Sequence, residues 1–189
     1  MPQRNISSQI GNTFYQIGRY FSSGVGDGSL VSASMLAGQI FYCPIIIPQT
    51  ITVDRIAVNV GTGQTAGEAR LAMRYFSNSS KSVGRLLFDA ATVDCSTSGA
   101  KEITINQIIQ PGYYMGLLWN KIASTTYTAY TNSPLSGSIV GQTSVGVSFL
   151  SGFTLTGITY GSAFPDSPES GAPGTPNNNC PILSLRIAG

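Results

Sequence analysis

The chain has 189 residues, of which 10% are charged, with a formal net charge of +2 and no histidine. That length carries one full hydrophobic core, and the charged fraction lies far below the roughly 25% of ordinary soluble domains. Ten basic residues scattered from Arg4 to Arg186 do not make the clustered Lys and Arg of a nucleic-acid binder, and without histidine the commonest metal ligand is missing.

Met1 to Asn12 is a polar arm that orders only against something else. Thr13 to Phe21 supplies Phe14, Tyr15, Ile17, Tyr20 and Phe21, apolar on both faces, and is expected to form a first strand. Such a segment is buried between layers or meets another copy or a docking partner. Ser22 to Ser29 is a glycine-bearing loop, and Leu30 to Leu36 is small and ambiguous. Gln39 to Ile47 resumes as extended chain. Because proline cannot donate to a ladder, Pro44 and Pro48 place this strand at an edge or at bulges.

Thr50 to Val60 is the clearest strand, with Ile56, Val58 and Val60 on one side of the pleat and Arg55, Ala57 and Asn59 on the other. The glycine-rich Gly61 to Gly67 does not cradle phosphate, since the residues after it alternate like a strand rather than opening a helix. Ala69 to Phe76, Leu86 to Val93, Lys101 to Ile108 and Gly112 to Trp119 are further short apolar segments separated by turn residues. Pro111-Gly112 is a turn in which proline presets one dihedral and glycine supplies the next. Thr125 to Tyr130, Ser144 to Leu155 and Ile182 to Ile187 are weaker strand candidates. Phe164 to Cys180 is the longest irregular stretch.

Three cysteines, Cys43, Cys95 and Cys180, match neither a zinc ribbon nor a CxxC redox pair. Three free thiols in a reducing compartment are expected, with a Cys43 to Cys95 bridge as the alternative. The first residues lack the apolar core of a secretory signal, and the longest apolar run, Tyr42 to Pro48, is too short to cross a bilayer. A protein made in a cytoplasm, with no membrane partner, is the expectation.

Catalysis is not expected. Without histidine a serine or cysteine nucleophile needs lysine or carboxylate as its base, and Lys81, Lys101 and Lys121 sit at turns or strand ends. Asp89 and Asp94 have opposite parity in one strand, and Asp54 is expected to pair with Arg55 or Arg70 at the rim. Asp166 with Glu169 is the nearest approach to a calcium site and reads as a solvated pair. No metal, cofactor or catalytic residue is therefore assigned. Aromatic residues stack on sugars without needing charge, and Tyr127, Tyr130 and Tyr160 are the candidates for glycan contact, whereas Tyr114 and Trp119 read as core.

The order of five segments is similar to a known family: Val53-Asp-Arg-Ile-Ala-Val-Asn-Val60, Ala69-Arg-Leu-Ala-Met-Arg-Tyr75, Leu86-Leu-Phe-Asp-Ala-Ala-Thr-Val-Asp94, Lys101-Glu-Ile-Thr-Ile105 and Gln110-Pro-Gly-Tyr-Tyr114. They resemble a jelly-roll module of structural proteins in tailed bacteriophages. Ala91 stands where that module usually has glycine, Met115 where it has an aromatic residue, and its loop proline between Phe76 and Leu86 is absent. The all-β, antiparallel frame read from the strands is then, as the resemblance implies, a β-sandwich of jelly-roll type, to which the polar first residues add an extended N-terminal arm. The resemblance further implies a virion location, contacts with other capsid or tail proteins, and a homo-oligomer, by family habit a trimer. Residues 1–30 then form the arm and docking segment, and 31–189 the domain. The function expected is capsid decoration, head fibre or tail appendage; the alternative is a receptor-binding module that meets a host surface glycan at a tail tip.

Overall fold

The structure, a computed structural model, describes residues 15–22, 30–77, 79–131 and 151–189. They are all-β, paired antiparallel throughout, in two sheets. The first sheet holds β1 (Tyr20–Ser22), β2 (Leu30–Ser34), β4 (Ile51–Thr62), β7 (Gly99–Ile109), β9 (Thr126–Thr131), β12 (Asn179–Pro181) and β13 (Ser184–Ile187). The second holds β3 (Ile40–Ile47), β5 (Glu68–Ser77), β6 (Ser82–Asp94), β8 (Gly112–Asn120), β10 (Gly152–Leu155) and β11 (Thr175–Asn177).

In the first sheet β4 pairs β7 on one edge and, on the other, β13 and then β9, so the sheet curls into a half-barrel. β2 and β12 flank β9, and β1 flanks β13. The second sheet runs β11-β10-β3-β8-β5-β6. Along β4 the residues packed into the main core are Ile51 and Val53, then Ile56, Val58 and Val60. Their parity changes at Asp54, where the pairing with both β7 and β13 shifts register. A one-residue slip would otherwise turn half the strand inside out, and the bulge absorbs it.

β3 lies inside the sheet, between β10 and β8, and not at its edge as expected, but among the described residues Pro44 has a strand on one side only. β3 pairs β10 only from Ile40 to Tyr42, so among the described residues its remaining length has one free edge. Three more expectations are corrected. Thr13 to Phe21 is not one strand: residues 15–19 turn, and only Tyr20–Ser22 joins a sheet, while Phe14 lies outside the described residues. Leu30–Ser34, ambiguous in sequence, is a strand on β9. Within Phe164 to Cys180, β11 and β12 are ordered by pairing to β10 and β9, a long-range cause that local composition does not carry. Ser144 to Phe149 lies outside the described residues, and the strand expected there begins at Gly152.

The main core lies between the sheets and is built from alternate residues: Phe41, Cys43 and Ile45 from β3, Leu71 and Met73 from β5, Tyr114 and Leu118 from β8. Residues of opposite parity, Ile40, Tyr42, Ala72, Met115, Leu117 and Trp119, form a second cluster on the outer face of the second sheet. Sheets covered on both faces read as continuous apolar runs rather than alternating ones. This is why Tyr114 to Trp119 shows no period.

The cover of that outer face is the irregular segment 156–174, which lays Ile158, Tyr160, Phe164 and Ala172 against the cluster. It is pinned by Arg74, whose side chain is completely buried. The guanidinium donates to the carbonyls of Pro165 at 2.6 Å, Asp166 at 2.8 Å and Ser167 at 3.2 Å, and reaches Glu169 Oε1 at 3.2 Å. Tyr42 donates to the other carboxylate oxygen of Glu169 at 2.6 Å. Burial first, and then the carboxylate beside it, push the Tyr42 hydroxyl well above its usual range. Glu169, expected as a solvated residue, is thus buried and paired, because it neutralises a guanidinium that the fold takes out of water.

Removing one partner of a buried ion pair leaves the other uncompensated. Arg74→Met is therefore expected to cost about 3–5 kcal/mol in urea unfolding, with Glu169→Gln costing less because the three carbonyl contacts survive. A loss under about 1 kcal/mol for Arg74→Met would show that Arg74 does not hold segment 156–174.

Ala91 sits in β6 at φ 73°, its N–H bonded to Asp89 Oδ1 at 2.9 Å. The left-handed region costs a non-glycine residue about 1–2 kcal/mol, against about 0.4–1 kcal/mol of added unfolded-state entropy for glycine. Ala91→Gly is expected to raise the urea midpoint slightly, and a lowered midpoint would contradict the strain.

Candidate docking surface

The terminal segment is held onto the first sheet before it reaches the surface. Arg19 N–H donates to Gln16 at 3.0 Å, Gly18 N–H to Ile187 at 3.0 Å, and Ile187 N–H back to Arg19 at 3.1 Å. Gly18 adopts φ 74°, which closes this turn without a side-chain clash. The two expectations for the segment are then divided by residue. Tyr15 and Phe21 pack edge to face at 4.8 Å, half-buried against the main core. Ile17 and Tyr20 point outward, 73% and 41% exposed.

From β1 the Tyr20 side chain lies across β13 and β4, and its hydroxyl donates to Glu102 Oε1 on β7 at 2.6 Å. Glu102 Oε2 is 3.9 Å from Arg55 Nε. Asp54 pairs with neither Arg55 nor Arg70, contrary to expectation. Two bonds of 2.8 Å join it to Arg186 of β13, because the bulge falls at Asp54 beside that strand. Arg70 instead binds Asp89 at 2.8 Å on the second sheet.

Beside this network the outer face dips into a depression of about 190 Å³. Its floor is small, with Ala57, Ala100 and Ser184; Tyr20 and Ile182 make walls, and Asn59 donates to Thr128 at 2.7 Å along the rim. The sequence carries a signal for it, since alanines at outward positions of adjacent strands leave a dip one side chain deep.

The glycan candidates fare unequally. Tyr127 has no exposed surface; its hydroxyl donates to Asn120 Oδ1 at 3.0 Å and contacts Cys95 Sγ at 3.6 Å. Burial drives that hydroxyl far above its usual range, and the residue presents nothing to a sugar. Tyr130, on the opposite face of β9, is half-buried with its hydroxyl 3.5 Å from Ser22 Oγ. Tyr160 packs on Trp119 at 5.2 Å, donates to Glu68 Oε1 at 2.9 Å, and carries the Lys121 ammonium 5.9 Å from its ring centre. The three tyrosines do not build one platform.

Cys43 of β3 and Cys180 of β12 are paired across the interior with Cα atoms 6.2 Å apart. This replaces both the three free thiols and the Cys43 to Cys95 bridge. Cys95 remains a free, buried thiol beside Tyr127, raised above its usual pKa first by that burial. Because β12 was not foreseen, its partner was not either. Among the described residues no three His, Cys, Asp or Glu side chains are placed to hold a metal ion, and no helix is long and apolar enough to cross a membrane.

The Arg186 guanidinium beside Asp54 holds its carboxyl below the ordinary value of 3.8. A depressed carboxyl contributes stability above its unfolded value and loses it as the pH falls through the folded one. Below pH 3.8 the protein should therefore lose melting temperature faster than Asp54→Asn does. Parallel acid limbs for the two proteins would remove this pair from the account. A scan against models of known protein families finds no match, and a search among curated protein sequences finds none either.

Proposed function

We propose that this chain is a non-enzymatic structural protein of a tailed-bacteriophage virion. In this reading it is a jelly-roll sandwich that docks to capsid or tail proteins through its terminal segment, as a decoration, head fibre or tail appendage. The observation that carries the reading is the pairing order of β2 to β9. They pair as β2-β9-β4-β7 and β3-β8-β5-β6, the arrangement two Greek keys make when they wrap into facing four-stranded sheets.

A second point supports it. The position where the resemblance expects glycine, Ala91, has the left-handed backbone that glycine favours. Ile17 and Tyr20, exposed on a terminal segment beside a shallow depression, supply the docking chemistry. Nothing in the positions of Tyr127, Tyr130 and Tyr160 favours a glycan receptor over docking.

Cryo-electron microscopy of particles purified from the source lysate tests the reading. The chain should have its own density on the head or the tail. Removal of residues 1–12 should leave its circular dichroism and melting intact while the chain is lost from particles. A chain absent from particles altogether overturns the proposal.

A further inference from the structure

We infer that the depression on the first sheet is filled by Ile17 of a second copy of this chain. The inference deepens the docking reading, naming one partner for the same surface. At about 190 Å³ the depression is smaller than the roughly 300–1,000 Å³ of small-molecule pockets, and its scale suits one aliphatic side chain. Its floor is made of small side chains, and the one charge at its rim, Glu102, is already engaged by Tyr20 and Arg55. No free charge is left there to orient a polar ligand.

Ile17 is the most exposed large apolar side chain among the described residues. It cannot fill the depression of its own copy. Its neighbour Gly18 is bonded to Ile187, whereas the depression lies at Ser184, three residues back along β13 and roughly 10 Å away. Each copy therefore carries a knob just before β1 and a hole on the outer face of the same sheet, surfaces that can complement each other between the copies of a homo-oligomer. The charges around the hole are paired within the copy, Asp54 with Arg186 and Arg55 with Glu102, so the hole presents no unpaired charge to the incoming side chain.

Sedimentation velocity on the full chain over a range of concentrations tests this. Wild type should associate reversibly. Ile17→Ser, which removes the knob, and Ala100→Leu, which fills the hole, should each raise the concentration needed for association by about tenfold or more. The double variant should be no worse than the weaker single, and Ile17→Leu should associate like wild type. Unchanged melting temperatures show that the variants fold. A chain that is monomeric at every concentration, or association that neither substitution weakens, overturns the inference. So does a monomeric chain that takes another virion protein into the intact depression. A monomer found in particles would end this inference and leave the virion reading standing. An oligomer absent from particles would do the reverse.

Discussion

The arrangement depends on a guanidinium taken wholly out of water. The second sheet is apolar on both faces, and only one face can meet the first sheet. The other needs a cover, and the chain supplies irregular backbone, whose own carbonyls have no ladder to satisfy them. Arg74 answers both needs, because a planar fork of donors can hold several carbonyls and a carboxylate together. Glu169 and Tyr42 complete the set by neutralising the charge and filling the second carboxylate oxygen. One Arg74 donor, Nε, and the Trp119 indole N–H have no partner among the protein atoms described. The network is therefore tight but not saturated.

Much of the sheet framework was legible in the sequence because β4, β5, β7 and β8 carry their period or their turn residues locally. Ile56, Val58 and Val60 announce a strand by alternation, and Pro111-Gly112 announces its boundary. The bulge at Asp54 was not legible, since a change of parity from Val53 to Ile56 looks like imperfect alternation until the partner strands are known. β11 and β12 were missed for the related reason that three-residue strands exist only through their neighbours. The candidate surface was half legible. The aromatic density of residues 14–21 marked the segment, but which side chains turn inward depends on the turn at Gly18 and on β13, more than 160 residues away in sequence.

Tyr127 shows how such a reading goes astray. A tyrosine in a polar, threonine-rich segment looks like a surface residue, yet Asn120 and Cys95 give its hydroxyl buried partners. The segment's small residues let β9 lie between β2 and β4, and the ring fills the space beneath. Asn120 serves several needs at once, its amide donating to the carbonyls of Leu36 and Ile122 while its oxygen receives Tyr127. One amide thus ties two loops and one core strand, which explains a buried polar residue at the end of β8.

The ion pairs carry a consequence for how fast partners meet. Among the described residues, five of the seven acidic side chains are matched one to one with basic residues, from Arg74 and Glu169 in the interior to Arg186 and Asp54 at the surface. Paired charges cancel within a few ångströms and project little field beyond the Debye length. These pairs add little to electrostatic steering, and an encounter governed by diffusion and orientation alone runs at about 10⁵–10⁶ M⁻¹s⁻¹. On a surface whose charges are matched in this way, desolvation of apolar side chains favours shape over charge as the basis of choosing a partner.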